Sequence, residues 1–507
     1  MRSSGTKTIR FLIGIKMVEK VLKNLLCGTQ SKIKVFKVGG AVRDQFIKGQ
    51  TPIDEDYLVC GVPFGELLKY LNDYGQVEHV GVTFGVIKFY PRGCKLATDI
   101  ALPRKEISTG PGHKDFKVEF DHTLSVDEDL KRRDFTMNAI AINLQSGDIY
   151  DPFNGRKDID KKVIRVVHKK SFREDPLRIL RGVQFAARLN FKIEDKTLKL
   201  MKQHKHLLEY ISAERIAGEL NKIILAPSPS IGFRYLEKIG ALSNILPELL
   251  GAKYVVQSRK GDAATVFEHT MLAIDAASQD NPKVRWAVLF HDLGKSKCHS
   301  MDKNGKEHFI GHEIIGATIA KKYLGLWKFP TAFIEEVMHL IKYHMFDAPP
   351  NISDKAVRRL IARVGTEHIF NLVELRRADR SGTTTKISMA KVDNLVKKIK
   401  RELYEKPFSL SDLKVNGHDV IKVAGIKPGK EIGLILDILL YLVLYKDVPN
   451  ERDTLIRHIP CPGEGIQEYC PHGTLFRLSQ IKTALNSDVP FAWNCGSDCG
   501  YICEKRY

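Results

Sequence analysis

No stretch of this 507-residue chain is apolar for long enough to cross a bilayer. The longest candidate, Ile432 to Tyr445, is interrupted by Asp437 and reads as a buried helix. Internal repeats and low-complexity tracts are absent, and with 43% hydrophobic residues a packed core is expected rather than wholesale disorder. Acid is in short supply: 60 Asp+Glu face 80 Lys+Arg, a net charge of +20. That excess favours a polyanionic partner through phosphate neutralisation and counterion release, without separating RNA from DNA or from a membrane surface. Cysteine is sparse over most of the chain. Four of the nine are scattered singly, as in a reducing compartment, and five (Cys461, Cys470, Cys495, Cys499, Cys503) crowd the C-terminus. Before its first acid, Glu19, the N-terminus carries Arg2, Lys7, Arg10 and Lys16. It lacks the Arg/Ser-rich amphipathic pattern of an organellar presequence, so a plain extension is expected, with Met17 an alternative start and a cytoplasmic location.

The length suits about three or four domains. Residues 31 to about 168 alternate short β-type runs with short helices. Strands are expected at Ile33–Val38, Asp56–Val59, Phe84–Tyr90, Leu96–Ala101 and Ala139–Asn143, and a helix at Phe64–Asn72. Pro103 to Ser125, rich in Gly, Pro and charge, reads as a mobile loop. From about 171 the pattern is helical: Ser171-x-x-Glu174 has the form of a capping box, Pro176 suits a first turn, and Ala226-Pro-Ser-Pro-Ser230 reads as a linker. The expected fold class is α+β: a mixed-sheet head followed by an all-α body.

Val38-Gly39-Gly40-Ala41-Val42-Arg43-Asp44, followed by Asp54-Glu55-Asp56, carries the most chemistry. Glycines let backbone N–H groups approach phosphates. Residues i and i+2 of a strand face one side, so Asp54 and Asp56 could hold one Mg²⁺ pair, which can activate a hydroxyl and neutralise a leaving pyrophosphate. By itself an Asp-x-Asp is as often a solvated loop. A second signature, Asp129-Leu-Lys-Arg-Arg-Asp-Phe-Thr-Met-Asn-Ala139, offers Arg132 and Arg133 to a triphosphate or sugar, or else forms a salt-bridged helix end. In a third, Glu174-Asp175-Pro-Leu-Arg178-Ile-Leu-Arg181, the residues Asp175, Arg178 and Arg181 recur at i, i+3 and i+6 along one helical ridge, with Leu177, Leu180 and Val183 turned inward. The plain alternative is Asp175 as an N-cap.

These motifs, with Ile211-Ser-Ala-Glu-Arg-Ile-Ala-Gly-Glu-Leu220, stand in the order found in class II tRNA nucleotidyltransferases, and the chain resembles a bacterial-type CCA-adding enzyme over roughly residues 31 to 457. The resemblance implies Asp54 and Asp56 as Mg²⁺ carboxylates, with Gly39, Gly40, Arg43, Arg132 and Arg133 near the triphosphate. Asp175 and Arg178 would read the incoming base, with Arg181 beside them; tRNA, CTP and ATP would be the partners. Cytosine and adenine both present an amine donor beside a ring-nitrogen acceptor, which a carboxylate and a guanidinium can read without a template. Guanine and uracil reverse that order. Relatives commonly carry a further arginine where this chain has Gln184, so a phosphate or ribose contact would be weaker or supplied from elsewhere. A poly(A) polymerase shares such a head, but Val80–Val86 and the long 104–125 segment resemble CCA-adding relatives more closely, and CC-only adders tend to lack a full-length loop. A non-enzyme reading is an RNA-binding protein with a dead head.

His269, His291-Asp292 and Asp379 form a second constellation, with His312 and His344 as further candidate ligands. A lone His-Asp pair is more often a capped, buried histidine. The full set suits a divalent transition metal holding a hydrolytic water. It resembles an HD-type phosphohydrolase domain, whose natural substrates here would be cyclic or terminal phosphates on RNA ends. Phe408 to Arg457 resembles the family's tRNA-binding tail helices. The domains expected are therefore 1–30 (extension), 31–170 (head), 171–240 (nucleobase recognition), 241–400 (HD type), 401–457 (tail helices) and 458–507 (Cys-rich extension). The terminal cysteines, with His472, lack a tight Cys-x-x-Cys; zinc is possible there, and a loosely ordered extension is the default reading.

Overall fold

The computed structural model describes residues 3–27, 32–47, 55–80, 86–108, 116–259, 262–303, 307–346, 349–383, 388–405, 408–446 and 448–459. Asp54 and the Cys-rich tail lie outside them. The chain folds into two compact units, one drawn from Met1–His344 and Arg377–Ile387, the other from Met345–Arg376 and the chain from Ser388 onward. The domain boundaries expected at 240 and 400 do not coincide with this division.

The first unit begins with helix α1 (Ser3–Cys27), then β1 (Lys34–Val38), α2 (Gly40–Phe46), β2 (Asp56–Cys60), α3 (Phe64–Asn72), β3 (Gly75–Val80), β4 (Val86–Pro91) and β5 (Thr98–Ala101). After a hairpin of β6 (Arg104–Ser108) and β7 (Phe116–Phe120) come α4 (Val126–Lys131), β8 (Ala141–Asn143) and β9 (Ile149–Tyr150). Seven strands form one mixed sheet in the order β3-β4-β5-β2-β1-β8-β9, in which only the β2–β5 pair is parallel. The expected mixed-sheet head followed by a helical body is what forms. All five expected strands are present with shifted ends, and the α3 helix matches its expected span.

Alternation along β2 decides the geometry of the site. Tyr57 and Val59 bury on one face with Val35, Leu67 and Ile87. Leu58 and Cys60 bury on the other with Phe36, Val38, Val126 and Leu130. Asp56 follows the parity of Leu58, so it lies on the α4 side, while Glu55 turns the opposite way and bonds to Tyr57 and Lys37. A one-residue slip of β2 would turn Asp56 away from the α4 side and onto the face that buries Tyr57 and Val59, which the apolar packing on both faces prevents.

Four expectations are corrected. Within the segment read as a mobile loop, residues 104–108 and 116–120 pair as two antiparallel strands with Arg104 opposite Phe120; the Gly/Pro-rich sequence between them hides the strand character. Residues 18–27 are not a plain extension: Val18, Val21, Leu22 and Leu25 belong to the head's core, and Glu19 pairs with Lys37 behind β2. Ser171 is no cap; it is fully buried, Lys170 stands at the N-cap, and the Ser171 hydroxyl accepts from Arg178. Residues 226–230 form a tight joint rather than a loose linker. Ser230 donates from its N–H and Oγ to Asp275, and the buried Arg285 guanidinium donates to the carbonyls of Ile224, Ala226 and Ala277.

In the second unit, the helices Gly417–Ala424, Lys430–Tyr445 and Arg452–Ile456 share a core of Leu413, Val420, Ile435, Leu439 and Leu455. The helix expected to be buried at Ile432–Tyr445 buries one face only, through Ile435, Leu439, Leu442, Val443 and Leu444, and Asp437 is exposed. Arg358 is held inside this unit by Glu402 at 3.0 Å and the Leu444 carbonyl at 3.1 Å.

Leu22, on α1, is fully buried. Leu22→Ala should therefore lower stability by about 2–5 kcal/mol, the cost of an unrelaxed core cavity. Urea unfolding followed by tryptophan fluorescence measures it; an unchanged midpoint would detach α1 from the head.

Candidate active site

A glycine turn joins β1 to α2. Gly39 has φ of 80°, the left-handed region that disfavours any side chain, and a Cβ there would stand 2.9 Å from Asp56 Oδ2. The turn thus brings backbone directly against the Asp56 carboxylate. Parallel pairing places Asp99 opposite Asp56, so a second described carboxylate shares that face. Oxygen-only donors of this kind suit a hard cation such as Mg²⁺. Asp54, the other expected carboxylate, is outside the described residues.

Around this turn opens a cleft of about 970 Å³, and the expected residues Gly39, Gly40, Arg43, Asp56, Arg132, Arg133, Asp175, Arg178 and Arg181 all line it. The guanidinia are held by fixed partners. Arg43, 3% exposed, donates from Nε to Asp44 at 2.7 Å and from Nη1 to Asn138 Oδ1 at 2.8 Å. Burial lowers its pKa, and Asp44 opposes the shift. Arg132 and Arg133 converge on the fully buried Asp129, at 2.7 and 3.3 Å. Arg133 keeps a buried Nε without a hydrogen-bond partner. Arg178 donates to Ser171 Oγ and to the Arg132 carbonyl, both at 2.8 Å, tying α4 to the helix Leu177–Leu189.

Asp175 does not share a helical ridge with the two arginines. It is extended (φ −141°), and the helix begins only after Pro176 at the N-cap. Its carboxylate is instead fixed by Arg215, 3.3 and 3.2 Å from its two oxygens, while one oxygen accepts from the Leu177 N–H. Leu177, Leu180 and Val183 do turn inward.

Several residues of the cleft escape sequence reasoning. Asp134 accepts from Arg181 Nε at 2.8 Å and from Asn138 Nδ2 at 2.9 Å, and Asn138 in turn accepts from Arg43. Burial alone would raise the Asp134 pKa, but Arg181 and the Asn138 hydrogen bond hold it below the usual carboxylate range. Arg188, one turn beyond Gln184, lines the cleft and lies 3.6 Å from Asp44, so a cation is present near the edge where Gln184 stands. Asp134 and Asn138 sit inside the second signature, and Arg188 near the end of the EDPLRILRGVQFAARL run, which could have pointed to them; Asp99 carries no local signal.

A second cluster is enclosed in the same unit. His269, His291, Asp292, His312, His344 and Asp379 are each at most 4% exposed. His269 is on Val266–Ala276, His291 closes Pro282–Phe290, His312 opens His312–Leu326, His344 closes Thr331–Tyr343, and Asp379 is on Ile369–Ser381. Gly294 lets two of these helices meet, since a Cβ there would lie 2.1 Å from the His312 carbonyl. All six expected residues converge. Each histidine Nδ1 is 2.7 Å from a backbone carbonyl (of Gly382, Val288, Phe309 and Ile341). A carbonyl only accepts, so Nδ1 carries the proton and Nε2 faces inward, the tautomer of a metal ligand. Nε2 of both His269 and His291 is buried without a hydrogen-bond partner. Burial pulls His344 down to about 3 and lowers His312. Burial alone would raise Asp292, but His291 and Lys295 (Nζ at 2.6 Å) hold it far below the usual range.

Residues 35–165 match the family described as the poly A polymerase head domain, 190–252 a probable RNA- and SrmB-binding site of polymerase A, and 314–459 a putative tRNA nucleotidyltransferase domain 2. The Multifunctional CCA protein of Pasteurella multocida is 33% identical over 408 residues, 77% of this chain and 92% of that protein. That of Haemophilus ducreyi is 35% identical over 331 residues, 62% and 75% of the two. Among solved structures, the Bacillus stearothermophilus CCA-adding enzyme in complex with CTP superposes with a TM-score of 0.65 at 24% identity, covering 88% of this chain and 96% of that one. The Thermotoga maritima enzyme complexed with tRNA gives 0.51 at 23%, covering 90% and 95%. At these identities the structures speak for the fold. Head, cleft and helical body define a class II nucleotidyltransferase, a class that depends on divalent metal. More particularly, the chain belongs to the family of CCA-adding enzymes to which the multifunctional CCA proteins belong.

Two outcomes follow from this geometry. Gly39→Ala should weaken Mn²⁺-dependent CTP binding at least about tenfold with circular dichroism unchanged, because the new methyl meets Asp56; isothermal titration would show it. Asp134 has a depressed pKa in the folded state, so its contribution to stability is present above the unfolded value of about 3.9 and is lost as pH falls through the lower folded value. Asp134→Asn should therefore destabilise at pH 7, and the gap to the parent should close below about pH 4 in acid-unfolding curves.

Proposed function

We propose that this protein adds CCA to tRNA 3′ ends from CTP and ATP without a nucleic-acid template. The observation that supports this most strongly is the cleft in which Asp56 and the Gly39 turn adjoin the arginines 43, 132, 133, 178 and 181. Asp54 and Asp56 would hold Mg²⁺, which would supply a lowered pKa at the attacking hydroxyl and charge neutralisation at the leaving pyrophosphate. Gly39 and Gly40 admit the triphosphate close to backbone; Arg43, Arg132 and Arg133 bind and orient it. Asp175, steadied by Arg215, accepts from the exocyclic amine of cytosine or adenine, and Arg178 donates to the neighbouring ring nitrogen. Guanine or uracil would leave both groups mispaired, a penalty large enough to reject them. The attacking group is the 3′-hydroxyl of tRNA, its new bond forms to the α-phosphorus, and pyrophosphate leaves. A tRNA substrate fits the net charge of +20 and a cytoplasmic site of action.

The enclosed His/Asp cluster supports a second, hydrolytic activity on phosphate esters at RNA ends. His269, His291, Asp292 and Asp379 would hold a divalent transition ion, which supplies an activated water. The four oriented imidazoles favour this over a structural role. Absence of bound metal from the purified protein, with no phosphodiesterase activity under any divalent ion, would remove it.

The deciding assay offers tRNA lacking CCA, tRNA ending in C, tRNA ending in CC, and an oligo(A) primer, each with single nucleotides and with CTP plus ATP. Stepwise completion to CCA and then arrest is expected. Long A tracts on any primer would make it a poly(A) polymerase, and incorporation surviving Asp56→Ala would move the active site elsewhere. Arg178→Ala should cut the preference for CTP over UTP by about 10–100-fold, equivalent to roughly 1–3 kcal/mol of lost base readout.

A further inference from the structure

We propose that Glu19, Lys37, Glu55 and Tyr57 are positioning residues for nucleotidyl transfer: a polar clamp on the reverse face of the sheet that fixes the Asp56 carboxylate against the Gly39 turn. This rests on the metal-dependent reading of the nucleotide cleft. In the antiparallel pairing of β1 and β2, Lys37 stands opposite Tyr57 and Val38 opposite Asp56. Side chains alternate along a strand, so Lys37, Tyr57 and Glu55 share one face while Asp56 emerges on the other. Lys37 Nζ donates to Glu55 Oε1 at 3.1 Å and also meets Glu19 of α1. The Tyr57 hydroxyl donates to the second oxygen of Glu55. Both oxygens of the carboxylate next to Asp56 are thereby held, one from β1 and one from β2 itself, and α1 closes the set.

The surroundings make this arrangement costly. The face otherwise buries Val35, Val59, Leu67 and Ile87 with Val18, Val21 and Leu22 of α1. Glu55 is 7% exposed and Tyr57 is fully buried. An ion pair in such a place often stabilises no more than apolar side chains of like volume would, so what it adds here is fixed geometry. Burial alone would lower the Lys37 pKa, but the carboxylates of Glu19 and Glu55 raise it, and the ammonium keeps its charge. Burial and the Glu55 charge push the Tyr57 phenol upward, so it stays a donor. The need for fixed geometry is visible across the strand. Between the Gly39 backbone and Asp56 Oδ2 there is no room for a Cβ, which would stand 2.9 Å from that oxygen. A shift of β2 against β1 by a fraction of an ångström would therefore change where Asp56 presents its oxygens. The clamp grips Lys37 and Glu55, two residues before Gly39 and one before Asp56, where such a shift would begin.

Mg²⁺ titration of CMP incorporation into tRNA lacking CCA tests this on the full-length chain. Tyr57→Phe, which keeps the ring and removes only the hydroxyl, and Lys37→Met should each raise the half-saturating Mg²⁺ concentration about fivefold and lower kcat about tenfold, with KM for tRNA unchanged. Lys37→Arg, whose fork can still serve both carboxylates, should recover most of the loss. Leu71→Ala, on α3 in the same core, should lower thermal stability and keep the parental Mg²⁺ dependence, which separates positioning from stability. Parental Mg²⁺ dependence and kcat in folded Tyr57→Phe overturn the clamp and leave the nucleotidyl-transfer reading standing. A parent protein that incorporates no CMP overturns both. Because Tyr57→Phe preserves the buried volume, the test holds even if Lys37→Met fails to fold.

Discussion

The nucleotide cleft depends on one chain of polar contacts, buried at Asp134, Asn138, Arg43 and Asp44: Arg181 to Asp134, Asp134 to Asn138, Asn138 to Arg43, and Arg43 to Asp44, with Arg188 beyond. It links the base-facing helix to the glycine turn at the opposite wall. Arg43 and Arg181, two of the eight arginines that line this cavity, would repel their neighbours and sample many rotamers if left alone. Paired in this way they stand aimed before a triphosphate arrives, so less of the binding energy goes into ordering them. Phe185 adds a shared apolar platform, with the Arg43 and Arg181 guanidinia 5.1 and 5.6 Å from its ring centre.

The enclosed His/Asp cluster solves a different problem with the same economy of geometry. There the backbone does the orienting: four carbonyls select four tautomers, and the carboxylate with an oxygen toward both histidine pairs is Asp292. Arg285, on the helix that His291 closes, also donates to the carbonyls of Ile224, at the end of the helix Ala213–Ile224, and of cleft-lining Ala226. Hydrogen bonds from one helix thus connect the neighbourhoods of the two sites within one unit of the fold.

Much of this is legible in the sequence where the signal is local. Gly39-Gly40, the alternation around Asp56 and the apolar stripe of Leu177, Leu180 and Val183 each declare their geometry within a few residues. The class and the residues of both clusters follow from motifs read in order. What escapes is non-local or conformational. The Asp134–Arg181 pair joins residues 47 apart in the chain, and nothing near Asp99 marks it. The spacing of Asp175 fits a helix, but Pro176 starts that helix a residue later and leaves Asp175 extended, where Arg215 can reach it. A Gly/Pro-rich sequence conceals the paired strands 104–108 and 116–120, and residues 18–27 precede the first motif although their apolar face completes the core.

Central to this account is that the two walls of the cleft act as one pre-ordered unit through Asn138. A double-mutant cycle on CTP affinity, pairing Asn138→Ala with Arg181→Ala and read by isothermal titration in Mg²⁺, addresses it most directly. Residues sharing one buried network should show a coupling of about 0.5–3 kcal/mol. Strictly additive losses would mean that each arginine is held independently and would contradict the account.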